Sequence, residues 1–149
     1  MHLKSWAKSQ PESTPEKLAI AKLGKMEATC AGKVLIPFPI RDREVYEKAF
    51  GNKTINAAIA KSPVQAVPLD GLHGIQTSVN RDEVKDFIKD PNSVPRGKMS
   101  PRHGGPIDYP VVIQYRGERL IHDGHHRLTA ALLRGEKTAM VRLTKLDAE

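Results

Sequence analysis

The strongest constraint on the fold lies in residues 120–135, where a strand pattern turns at a glycine straight into a helix pattern. Gly124 breaks the strand after Asp123, and Gly135 is placed to end the helix that follows. The inner face of this helix is predicted from its apolar positions, which are Leu128, Ala131 and Leu132. A strand that runs directly into a helix is typical of α/β architecture, so we expect this helix to pack against a sheet.

The rest of the second half supplies the other elements of such a sheet. A helix is predicted to begin after Asn80, which can cap it, with Glu83 completing a capping box. Pro91 is predicted to end this helix. Residues 70–74 are predicted to be a turn, and Arg116-Gly117 a hairpin turn. The predicted strands cover residues 64–69, 111–115, 119–122 and 138–143.

The first half is predicted to be mainly helical. One helix is expected to start at Ser13 or Thr14, with Pro15 at its first position, and to end near residues 24–26. Two prolines make residues 33–40 extended, as an edge strand or a docked arm. Asp42 can cap a second helix that stops at Gly51, and a short third helix is expected over residues 54–61.

Together these elements predict an α/β (α+β) fold, a small mixed sheet with flanking helices. We divide the chain into a basic helical N-terminal extension, residues 1–62, and a sheet domain, residues 63–146. The 149 residues suit one domain, or one domain with an arm, and 39% hydrophobic residues can bury one modest core. A single cysteine, Cys30, excludes an internal disulfide.

Charge and hydropathy indicate which cellular compartment and which binding partners to expect. The net charge is +7, and residues 1–66 hold 11 Lys or Arg against 6 Asp or Glu, so the first half is the more basic. This excess favours a polyanionic partner, including nucleic acid bound through the N-terminal half. Neither an apolar run long enough to cross a bilayer nor a secretory leader is apparent, so we expect a cytoplasmic protein without a membrane partner.

A long loop without periodicity separates the two best-defined parts of the second half. Residues 91–110 hold five prolines and three glycines, together with four basic or imidazole side chains. Loops of this length inside a compact domain are usually functional or disordered. The side chains in question are Arg96, Lys98, Arg102 and His103.

The turn at Gly124 has the chemistry of a phosphate site. The first amide groups of a helix point out of its end, the helix dipole adds positive charge, and a glycine lets an anion approach the backbone. Arg127 lies in the first turn, where a guanidinium can bind phosphate oxygens, with His125 and His126 as further donors. Asp123 can hold magnesium or orient a histidine. Each residue also has a purely structural explanation. Gly124 can be a turn glycine, Arg127 a solvated arginine and His122 a side chain at the end of a strand.

Residues 67–143 resemble the ParB/sulfiredoxin superfamily, often labelled the ParB-like nuclease domain. The resemblance is carried by Gly124-His125-His126-Arg127-Leu128-Thr129-Ala130, which matches the Gly-x-x-Arg-x-x-Ala signature of that family. It implies binding of CTP or ATP with Mg²⁺, as an ATPase, a phosphotransferase or a nuclease, and it places the loop holding Arg102 and His103 near the nucleotide. The Asp-Gly-His beginning looks most like the free-serine kinase branch and its plasmid or phage relatives, in which the aspartate and histidine act at the transferred phosphate.

Departures from the family pattern remove two of its activities. Sulfiredoxins carry a nucleophilic cysteine where this chain has His125, so sulfinic acid reduction is not expected. Partitioning ParB proteins have Glu-Arg-Arg after the glycine and an operator-binding domain beyond it, whereas only Arg127 of that charged set is present here. Centromere recognition is therefore not expected either.

Two classes of function stay open at this point. The first is a magnesium-dependent NTPase or phosphotransferase with Asp123, His125 and His126 as catalytic residues and Asp123 as the metal ligand. Its nucleotide-binding residues are Gly124, His125, His126, Arg127, Arg102 and His103. The second is a ParB-like DNase, or a DNA- or partner-binding module without catalysis. A homodimer is compatible with either class.

Overall fold

A computed structural model describes residues 15–91 and 109–147 of the chain. Ser13, Thr14 and the four loop side chains from Arg96 to His103 lie outside these residues. The four helices of the described chain are α1 (Pro15–Lys25), α2 (Glu44–Ala60), α3 (Arg81–Lys89) and α4 (His125–Leu133). Its strands are β1 (Lys33–Leu35), β2 (Val64–Pro68), β3 (Leu72–Gly74), β4 (Ser78–Asn80), β5 (Val111–Tyr115), β6 (Glu118–Asp123) and β7 (Thr138–Lys145).

Five of the strands form one mixed sheet in the order β2-β7-β5-β6-β3. The pairs β2–β7 and β5–β6 are antiparallel, whereas β5–β7 and β6–β3 are parallel. β1 and β4 pair antiparallel in a separate two-stranded sheet. The predicted fold class, a small mixed sheet with flanking helices, is confirmed.

Helices cover both faces of the five-stranded sheet. Alternate residues of β5 and β6 belong to different core clusters: Val112 and Ile121 pack with α1, α3 and α4, whereas Ile113 and Leu120 pack with α2. The main chain of β6 therefore runs between two apolar layers. The buried part of β6 ends at Ile121, since His122 is half-buried and Asp123 is exposed.

The N-terminal half is built into these layers. Ala19, Leu23 and Val34 lie in the same buried cluster as the sheet residues Val112 and Ile121. On the other face, Tyr46 and Ile55 are the buried residues of α2. Packing is thus continuous across residue 62, and the proposed boundary between residues 62 and 63 stays a prediction.

Most of the predicted elements are confirmed in place. Within α2, Gly51 leaves the helical region at φ 76°, so the element is two helices joined at the predicted stop. Asp42 Oδ1 accepts the Glu44 amide hydrogen at 3.0 Å, but the N-cap of the helix is Arg43 and not the predicted Asp42. At the hairpin turn, Arg116 and Gly117 both have positive φ, as a two-residue turn of this kind requires.

Two expectations about local structure were wrong, and one strand was missed. Residues 72–74, predicted as part of a turn, form β3, and β4 was not anticipated, because three-residue strands show no alternation that a sequence can reveal. In α4 the buried face holds His125, Leu128, Thr129, Ala130 and Leu133, while the predicted Ala131 and Leu132 are only half-buried.

Across the described residues, none of the helices combines the length and the apolar character needed to span a membrane.

Candidate functional site

The turn between β6 and α4 strongly favours glycine. Gly124 has φ 99° and ψ 25°, a left-handed conformation that side chains disfavour. A Cβ atom there would also lie 2.6 Å from Cβ of Pro110, the residue that precedes β5. Backbone conformation and the packing of Pro110 therefore account for this glycine. The predicted reason, close approach of an anion, is not needed to explain it.

The N-terminus of α4 carries no negative charge from its own sequence. Its first intrahelical bond runs from the Leu128 amide to the Gly124 carbonyl at 2.9 Å, no side chain caps it, and no acidic residue lies in its first turn. α3 shows the contrasting arrangement: Asn80 Oδ1 accepts the Glu83 amide hydrogen, and its first turn is acidic. No carboxylate belongs to the first turn of α4 itself; the nearest are those of Asp123, which precedes Gly124, and of Glu83, 3.5 Å from His126.

Two predicted residues flank this helix end. Asp123, the last residue of β6, is exposed, and Arg127 in the first turn of α4 is half-buried. Asp123 and Arg127 thus precede and follow the first residues of α4 in the chain, and their roles at a phosphate site stay predictions. This arrangement can hold an anion together with its counterion.

His125 points into the protein. Its side chain is 4% exposed, and its Nε2 accepts the Ile75 amide hydrogen at 3.1 Å. Burial, with the neighbouring His126 adding to the effect, lowers the pKa of His125 to about 4. A neutral imidazole whose Nε2 is an acceptor holds the segment after β3 in place. Its predicted roles in catalysis and phosphate binding stay predictions.

His126 makes a parallel contact to a different segment. Its Nε2 accepts the Asn80 amide hydrogen at 3.1 Å, and a carboxylate oxygen of Glu83 lies 3.5 Å from the same nitrogen. An amide can only donate, so Nε2 carries a lone pair and the contact with Glu83 is not an ion pair in this state. The proton of the neutral ring is then on Nδ1. Consecutive histidines thus hold residues 75 and 80 against the start of α4.

His122 lies on the opposite face of the sheet. β6 has a register shift at this residue, because Val111 pairs with Asp123 and Val112 with Ile121. His122 Nδ1 is 2.8 Å from the hydroxyl of Tyr46, a completely buried residue of α2. Burial, followed by the positive charge of Arg43, lowers the pKa of His122, and burial raises the pKa of Tyr46 to about 12.

Arg43 and Tyr46 were not anticipated as neighbours of the site. They lie more than 70 residues before His122, and nothing in the local pattern of either segment indicates the contact. The positive charge of Arg43 contributes to the lowered pKa values of both His122 and His125.

The predicted residues at positions 123–127 have different surroundings, since His125 is buried whereas Asp123 is exposed. Arg102 and His103 lie outside the described residues, so their placement near the nucleotide stays a prediction. Within residues 15–91 and 109–147, no three or more His, Cys, Asp or Glu side chains cluster as a metal site. Magnesium commonly takes one or two carboxylates besides substrate phosphates, and the predicted role of Asp123 as such a ligand stays a prediction.

Comparison with known proteins gives a limited result. No model of a protein family matches the chain, and no curated protein does. Among solved structures it is similar in part to sulfiredoxin from Arabidopsis thaliana, with a TM-score of 0.41 and 19% identity over 56% of this chain and 85% of that one. A likeness of this size carries no functional argument, and membership of the ParB/sulfiredoxin superfamily stays a prediction.

Proposed function

We propose that the chain binds the phosphate groups of a nucleoside triphosphate with Mg²⁺ at the N-terminus of α4, and that it acts as an NTPase or phosphotransferase. The observation that carries the proposal is the start of α4. This helix follows β6 directly through a left-handed glycine, without a capping side chain or an acidic first turn. A phosphate supplies the negative charge that other helix ends obtain from their own residues.

The residues around this end have distinct roles in the proposal. First-turn amides and the Arg127 guanidinium bind phosphate oxygens, the latter with two parallel hydrogen bonds where geometry allows. Asp123 holds the magnesium ion, which when bound offsets the charge of the phosphate oxygens. His126, with its proton on Nδ1, is the imidazole better placed to donate to a ligand, since His125 is buried.

Turnover would transfer the terminal phosphoryl group to an acceptor oxygen. In hydrolysis, the oxygen of water bonds to the γ-phosphorus, the bond to the bridging oxygen breaks, and nucleoside diphosphate leaves with that electron pair. Catalysis of this kind depends mainly on positioning and charge stabilisation. Arg127 is then expected to matter both for binding and for rate.

The test is a panel of nucleotides, read by thermal shift and by phosphate release with and without Mg²⁺. Arg127→Ala is compared with Arg134→Ala, which removes the same charge from the opposite end of the same helix. Loss of binding and turnover in Arg127→Ala alone supports the proposal. Turnover that survives Arg127→Ala, or a panel in which no nucleotide binds, contradicts it.

The basic first half favours a second candidate, a DNA-binding module or ParB-like DNase. Residues 1–66 have a net charge of +5, from 11 basic and 6 acidic side chains. Binding to a labelled oligonucleotide should then weaken steeply with salt. Replacing Lys22 and Lys25 of α1 with Gln should lower the affinity and the salt dependence, and cleavage that a chelator stops would identify a DNase. An oligonucleotide affinity that these substitutions leave unchanged counts against this candidate.

A further inference from the structure

The outer edge of β2 is open to the surroundings. β2 is the terminal strand of the five-stranded sheet, and within that sheet it pairs with β7 on one side only. Gln65 and Ala66 are consecutive residues of β2, so their side chains point to opposite faces of the sheet, and both residues are exposed. The free side of β2 therefore presents main-chain amide and carbonyl groups to which another strand can bind.

The hydrogen bonds of β7 show which residues of β2 face outward. The Leu143 amide donates to the Pro63 carbonyl at 3.1 Å, so these two residues form a hydrogen-bonded pair. The next pair in register is Val64 with Arg142, whose amide donates instead to the carbonyl of the residue before β5. Because the two kinds of pair alternate along an antiparallel ladder, the amide and carbonyl groups of Val64 and Ala66 point away from β7.

The charges that flank β2 favour a second copy of the chain as the partner of this edge. Residues 61–70 contain two charged side chains, Lys61 before the strand and Asp70 after it. Both are exposed, and within the described part of the chain neither makes an ion pair. When two identical strands pair antiparallel, the start of each lies beside the end of the other, so each Lys61 lies near an Asp70. A parallel arrangement would bring like charges together.

We propose that β2 pairs antiparallel with β2 of a second copy, which joins two five-stranded sheets into one continuous sheet. A two-fold axis at Gln65 pairs Val64 of each copy with Ala66 of the other, so that both amides and both carbonyls of these residues are used. An axis at Ala66 would instead place the Val64 carbonyl opposite Pro68, which has no amide hydrogen. The interface is independent of the proposed phosphate site, since β7 and β5 separate β2 from β6.

Cysteine cross-linking of the full chain tests the register. In a Cys30→Ser background, Gln65→Cys should form a disulfide-linked dimer on mild oxidation, because facing side chains of a non-hydrogen-bonded pair have Cβ atoms about 4.5–5.5 Å apart. Met140→Cys is the matched control. Met140 is 48% exposed in the neighbouring strand, but three strand spacings, about 14 Å, separate it from β7 of the second copy. Equal cross-linking of the two variants, or none of Gln65→Cys, overturns the inference.

Sedimentation of the chain without added cysteines tests the charge complementarity. The wild type should show a monomer–dimer equilibrium between micromolar and millimolar concentration. Lys61→Glu and Asp70→Lys each bring like charges together at two places in the dimer, so each should raise its dissociation constant about tenfold. Combining the two substitutions should restore the wild-type value, and circular dichroism checks that each variant is folded. A wild type that stays monomeric, or a combined variant that dimerises no better than the single ones, contradicts the proposed interface.

Discussion

Lowering the pH should destabilise this protein through His125. The imidazole is 4% exposed, its Nε2 accepts the Ile75 amide hydrogen, and its pKa is lowered from 6.5 to about 4. Above pH 6.5 the ring is neutral in both the folded and the unfolded state, so it adds no pH dependence. Between pH 6.5 and about 4 only the unfolded state binds the proton, and stability falls as the pH falls.

The shift from 6.5 to about 4 corresponds to roughly 3 kcal/mol across this window, at about 1.4 kcal/mol per pKa unit. Most of the loss should be present at pH 4.5. Urea unfolding without metal and with chelator at pH 7.5 and 4.5 measures it, as a drop in the midpoint of about 1 M. His125→Gln keeps an acceptor for the Ile75 amide but cannot titrate, so its midpoint should fall much less.

Comparing the two proteins isolates His125, because the carboxylates and the other histidines are common to both. His122, whose pKa is also lowered, contributes with the same sign in each. Equal pH dependence in the wild type and in His125→Gln would refute the burial and the contact from which the prediction is drawn.

Two further predictions concern stability. Gly124→Ala should lower the free energy of unfolding by about 2–4 kcal/mol, because of the left-handed backbone and the contact with Pro110. Gly135 also has a positive φ but open space around it, so Gly135→Ala should lower that free energy by about 1 kcal/mol. Equal losses for the two variants in urea unfolding would contradict this. Ser62→Ala should cost about 1–2 kcal/mol, because it leaves the buried Thr144 hydroxyl without its 2.7 Å partner. Adding Thr144→Val should recover part of that loss, and a strictly additive double mutant would argue against the hydrogen bond.

The sequence predicted those helix ends and turns that depend on residues close together in the chain. Asn80 caps α3 as expected, Gly51 interrupts α2, and the hairpin turns at Arg116 and Gly117. Each depends on a residue whose backbone preference or side-chain reach acts within four positions. The strand-to-helix turn at Gly124 belongs to the same class, which is why its place in the chain could be predicted.

Contacts between distant segments could not be predicted in the same way. β3 exists because three residues pair in parallel with β6, more than 40 positions later in the chain. His125 and His126 were expected to face a ligand, but their Nε2 atoms accept amide hydrogens from residues 75 and 80. The helical pattern places both at the start of α4, and only the packing of β3 and β4 decides what their rings contact.

The most direct test of the central claim is a ¹H–¹⁵N correlation spectrum of the full chain, titrated with tripolyphosphate and Mg²⁺. Binding at the start of α4 should give the largest shifts in the backbone amides of Gly124, His125, His126 and Arg127 and in the Arg127 side chain. Unchanged resonances at these positions, with shifts confined to the lysine-rich N-terminal segment, would contradict the account.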